Sequence, residues 1–121
     1  MAVRLKRAYD KPAKNDGYRV LIDRIWPRGV SREDLQLNEW LREIAPSTAL
    51  RQWFNHDKRR WHEFKKRYHQ ELSARDELVG KLAQIEQNGR LTLVFGAADR
   101  KHNNGVALKE YLQELHGNAN R

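Results

Sequence analysis

The chain has 121 residues, 39% hydrophobic and 33% charged, with a net charge of +8. That length fits one domain over residues 1–121, with a core of its own under a heavily charged surface. There is no cysteine, which excludes a disulfide framework, a thiolate metal site and a cysteine nucleophile, and no apolar run approaches the roughly 20 residues that span a bilayer.

The first stretch, MAVRLKRAYDKPAKNDG, is charged throughout and unlike a secretory leader. A cytoplasmic protein with no membrane partner is expected. The positive charge favours anionic partners, either nucleic acid or an anionic small molecule. Lys and Arg are scattered along the chain, however, as on many basic surfaces that serve only solubility.

Val3–Tyr9 alternates, with Val3, Leu5 and Arg7 on one side and Arg4, Lys6 and Ala8 on the other, and reads as a strand. Asp10–Gly17 holds Pro, Asn, Asp and Gly and reads as a loop. A second strand is expected over about Tyr18–Ile25. No crossover helix fits between the two, so as neighbours they should be antiparallel; otherwise they sit apart, with the loop running over an edge. Pro27 cannot donate to a ladder and stops the second strand near Trp26. Ser31 offers an N-cap for a short helical turn within Val30–Leu37. Leu37–Ala45 fits both a helical stripe and alternation, and is read as an extended or irregular segment that carries Trp40 into the core.

Ser47 caps a helix from Thr48 to about His56, with Leu50, Trp53 and Phe54 on one face. Asp57–Ser73 is the clearest helix, since Trp61, Phe64, Tyr68 and Leu72 recur at helical spacing. Ser73 and Asp76 have capping-box-like spacing before a further helix that ends at Asn88-Gly89. Leu91–Phe95 is a short apolar run between Gly89 and Gly96, a candidate buried central strand. A polar loop follows, then a last helix from Asn103 or Asn104, fraying from about Gly117. The fold class is α/β: a small sheet of about three to four strands covered by helices, in a three-layer arrangement. In such sheets ligands sit beyond the carboxyl ends of strands, here near Trp26–Gly29 and Gly96–Asn104.

YRVLIDRIWPRG, EWLREIAPS, LRQWFNHD, KRRWHEFKKRYHQEL, LTLVFGAAD and NNGVALKEYL occur here in one order. In this the chain closely resembles the bacterial YeaO-like family, a domain of unknown function, from about Val3 to Leu115. The WPRG and APS segments are its most specific parts. The resemblance implies no substrate, cofactor or reaction. Where family members tend to read Asn-His-Ala, this chain reads Asn104-Gly105-Val106, so the imidazole expected at position 105 is absent. A chemistry that needed it would be lost here or would draw on His102.

Asp23, at the end of the second strand, is either a general acid or base or a partner of a nearby Arg that holds the turn. Arg24, Arg28 and Arg51, with Ser47 at a helix start, form a candidate bidentate anion site. Alternatively each Arg stacks on a Trp or bridges a loop. Trp26 and Trp40 either line a pocket or pack in the core. The five His show no metal spacing, so no metal site is expected. No phosphate-binding glycine motif appears, and no cofactor is expected. The basic stretch Lys58–Arg67 either follows a phosphate backbone or is a solvated face. The composition and candidate groups suit a small enzyme or ligand-binding domain for a phosphate- or carboxylate-bearing molecule. A nucleic-acid-binding accessory protein and a purely structural or interaction protein are the alternatives.

Overall fold

In the computed structural model, residues 3–119 are described. Four strands, β1 (Val3–Arg7), β2 (Tyr18–Leu21), β3 (Glu39–Trp40) and β4 (Leu91–Phe95), form one sheet in the order β1-β4-β2-β3. Every adjacent pair is parallel. All residues of β4 are buried, because a strand bonded along both edges and covered on both faces must be apolar throughout. LTLVF is therefore the central strand that its composition suggests.

The antiparallel pairing of the first two strands does not occur. β4 lies between β1 and β2, and Val3 and Tyr18 both pair with Leu91. Residues 8–17 thus return the chain across the sheet with only a 3-10 turn at Lys14–Asp16. Of the two alternatives, the strands sit apart; the loop crosses a face rather than an edge. A crossover without a helix leaves its backbone carbonyls in need of partners, and side chains of the sheet supply them. The Thr92 hydroxyl donates to the Asp16 carbonyl at 2.6 Å, and Lys6 donates to the Lys11 carbonyl at 2.9 Å. The Asp16 carboxylate is buried against Arg19, at 2.7 Å, and Lys6, at 2.9 Å. Burial pushes this carboxyl up, but Lys6, the Ala13 N–H and Arg19 outweigh it and the net shift is downward.

Alternation sends Val3, Val20, Leu91, Leu93 and Phe95 to the face that carries the larger core. That face is covered by α2 (Thr48–Phe54), α3 (Trp61–Ser73), α4 (Asp76–Gln87) and α5 (Asn104–Ala119), whose buried residues include Leu50, Phe64, Tyr68, Leu72, Leu82, Leu108 and Leu112. The other face is thinner. Ala8, Leu21 and Val94 meet Leu35 of the one-turn helix α1 (Arg32–Leu35), with Trp26 and Trp40 packed alongside.

Several boundaries differ from the sequence expectation. β2 ends at Leu21 rather than Ile25, because the chain turns where Asp23 reaches the end of β4. α2 ends at Phe54, and Asn55 and His56 both take left-handed conformations, with φ of 45° and 55°. α3 is preceded by a separate 3-10 turn, Lys58–Arg60, capped by Asp57. Ser73 caps no helix: it is the last residue of α3, and its hydroxyl donates to the Gln70 carbonyl. α5 is assigned through Gly117 to Ala119, and residues 120–121 of the expected tail lie outside the described residues. No helix among the described residues is long and apolar enough to cross a membrane.

Candidate functional site

A cleft of about 500 Å³ opens beyond the carboxyl ends of β2 and β4, where parallel sheets commonly hold ligands. Asp23 stands at its base. The strand run Val20–Ile22 is fully buried, and Asp23 follows it directly. Its Oδ2 accepts from the Gly96 N–H at 2.8 Å and its Oδ1 from Asn104 Nδ2 at 3.1 Å. The same Asn104 amide donates to the Ile22 carbonyl. Asp23 therefore joins the end of β2 to the end of β4 and the start of α5. Gly96 suits this closeness, since a Cβ there would stand 3.0 Å from Asp23 Oδ2 and press on the carboxylate. Burial pushes the Asp23 carboxyl up; the Gly96 N–H, Asn104 and the charge of Arg51 offset part of that rise.

Two of the three arginines singled out in the sequence line this cleft, Arg24 and Arg51. Arg24 reaches the Ala45 carbonyl at 3.5 Å and the Glu43 carboxylate at 4.0 Å. The Arg51 side chain makes no hydrogen bond or ion pair with any described residue, and its charge acts on Asp23 through space. The Nε of each is buried without an acceptor. Arg28 is exposed and outside the cleft, on a turn where the Tyr9 hydroxyl donates to its carbonyl.

Ser47 caps α2 as expected, accepting from the Leu50 N–H at 3.2 Å. It does not line the cleft, and an internal anion already meets it. The Glu71 carboxylate accepts from the Ser47 hydroxyl at 2.6 Å and from its N–H at 2.8 Å. α3 and the start of α4 clamp the whole Ile44–Ser47 turn, with Tyr68 donating to the Ile44 carbonyl and Arg75 to that of Ala45. That clamp fixes the Ala45-Pro46 wall of the cleft and the start of the helix that carries Arg51.

Trp26 and Trp40 lie on the second face, edge to face with ring centroids 5.3 Å apart. They line a separate shallow hollow of about 270 Å³. Their indole N–H groups donate to the Val30 and Asp23 carbonyls, both at 2.7 Å. Trp40 thus supports Asp23 from behind without facing the cleft.

Sequence reasoning placed a ligand loop at Gly96–Asn104 and named His102 in it, but singled out neither Asn103 and Asn104 nor the left-handed pair Asn55-His56; all of these line the cleft. His102 Nδ1 lies 2.9 Å from Asp99 Oδ2, and its ring stands edge-on to Trp61. A side chain at Gly105 would start within 3.2 Å of Leu5 Cδ2, Phe95 and Asn103 Oδ1, on the core side. The imidazoles at the cleft are those of His56 and His102. Among the described residues, no group of three or more His, Asp or Glu is placed to hold a metal ion.

Sheet and cleft together define a parallel α/β domain whose strand ends hold a half-buried carboxylate beside two under-partnered guanidiniums. The chain belongs to the family described as "Inactive DUF488-N3 subclade", whose model matches residues 2–120. It is 38% identical over 115 residues to an uncharacterized YeaO protein of Escherichia coli (strain K12), covering 95% of this chain and all of that one. Over 70 residues it is 44% identical to uncharacterized proteins of Mycobacterium bovis and Mycobacterium tuberculosis, covering 58% of this chain and 59% of each of those. No solved structure matches.

Proposed function

We propose that this protein binds a small anionic molecule in the cleft, with Arg24 and Arg51 as its anchors. The observation that carries this reading is the unused bonding capacity of the two guanidiniums. Each keeps a buried Nε without an acceptor, and buried donors in native proteins are normally satisfied. A phosphate or carboxylate supplies charge-assisted acceptors for both planar guanidiniums. Two positive charges facing one carboxylate also leave the cleft attractive to an anion. Binding without turnover agrees with the "inactive" description of the family. Both Asp23 oxygens already accept hydrogen bonds, so in this reading Asp23 is a positioning and accepting group, not a general base.

The nucleic-acid alternative draws less support. Cations of the basic stretch are engaged locally: Arg59 with Asp57, Lys65 with Glu110, and Arg67 with Glu63 and the Trp53 ring.

Titration calorimetry with phosphate, sulfate and short carboxylates tests the reading. Arg24→Ala and Arg51→Ala should each weaken binding about tenfold or more, the loss expected for a charge-assisted hydrogen bond. Arg28→Ala, outside the cleft, should leave it unchanged. Binding that survives both cleft substitutions, or none in the unaltered protein, would overturn the assignment.

A further inference from the structure

We infer that the cleft selects an anion that also carries hydroxyl groups, such as a sugar phosphate or a hydroxy acid, over a bare anion. This inference rests on the anion reading above and adds to it a hydroxyl-binding side formed by Asp23 and His102.

A carboxylate offers about four lone-pair positions. Asp23 uses two of them, one on Gly96 and one on Asn104. The remaining capacity belongs to a half-buried group that lines the cleft, where a ligand hydroxyl can donate to it. Arg51 is near enough to act on Asp23 electrostatically but does not hydrogen-bond to it.

His102 lines the same cleft, with its Nδ1 held 2.9 Å from Asp99 Oδ2. Its ring is a second polar contact for a hydroxyl, which can donate or accept.

The donor that meets Asp23 is neutral. An ammonium group would be repelled by the two guanidiniums, whereas a hydroxyl carries no charge. Size agrees: about 500 Å³ lies in the range of about 300–1,000 Å³ typical of organic-ligand pockets, far more than a bare oxyanion fills.

The test is calorimetric, on the full chain, with two matched ligand pairs. Propyl phosphate and glycerol 3-phosphate share charge and length and differ in two hydroxyls; propionate and glycerate do the same for a carboxylate. In at least one pair the hydroxylated member should bind about tenfold more tightly, the effect of a hydrogen bond to a charged acceptor. The pair that shows the preference identifies the anionic group. Asp23→Asn, with its fold checked by circular dichroism, should bring that ratio towards one while still binding the unhydroxylated member. A ratio near one in both pairs, with binding retained, would overturn this inference and leave the anion reading standing. Absence of binding by all four would overturn both. The ratio in the unaltered protein keeps the inference testable even if Asp23→Asn does not fold.

Discussion

Replacing Asp16 with Asn is expected to lower stability by about 3–5 kcal/mol in urea unfolding, because a buried charge loses its partner. The partner is Arg19, itself buried, whose remaining hydrogen bonds run to the Leu35 and Gln36 carbonyls. A loss below about 1 kcal/mol would show that the surface cations Arg4 and Lys6 hold the crossover without it. At this scale the sequence was informative only where a side chain's direction followed from its element. Asp23 leaves a buried strand and Arg51 lies one turn past a Ser cap, so both were legible. Arg28 shares the Pro27-Gly29 turn that drew attention to it, yet Gly29, with φ of 78°, belongs to a turn that leaves Arg28 exposed. The contact of Asn104 with Asp23 was not legible, because it forms only through the pairing of β2 with β4, some 80 positions away in sequence.

Among the elements, LTLVF and the α3 stripe were readable because burial on every side, or on one helical face, leaves a periodic record. The link between β1 and β2 was not. Arg4, Lys6 and Arg19 alternate with apolar residues and look like the solvent side of a strand, whereas they face the crossover and bind it. The absence of a helix in residues 8–17 argued for antiparallel neighbours, and these polar side chains are what make a helix-free parallel crossover workable. The crossover ends at Gly17, where φ is 69° and a Cβ would fall 2.4 Å from the Arg90 carbonyl oxygen. That carbonyl accepts from the Tyr18 N–H at 2.9 Å and starts the β2–β4 register. Gly17→Ala is therefore expected to destabilise by more than about 1 kcal/mol, measured as a lower urea midpoint. An unchanged midpoint would mean that the crossover relaxes freely at this point.

Across the whole molecule, acid response combines carboxyls shifted in opposite directions. Arg100, bound in bidentate fashion at 2.7 and 2.9 Å, holds Asp10 down from 3.8 to about 2. A depressed carboxyl stabilises the fold above its unfolded value and loses that contribution as pH falls towards about 2. Asp23, raised by burial, works the other way: the fold gains as pH drops into its range. Asp10→Asn should thus be less stable than the unaltered protein at about pH 5, with the gap closing at about pH 2. A gap independent of pH, in urea unfolding at both values, would assign the effect to hydrogen bonding alone.

The strand order has one more consequence, for how the chain is made. Among the described strands, β1 pairs with β4 alone, so it waits for a partner that is translated about 90 residues later. Closure of the sheet is therefore a late event that follows synthesis of the α2–α4 block, and contacts this distant in sequence slow folding. Until residue 95 emerges, β1 has no neighbouring strand, and Val3 and Leu5 have no sheet to pack into.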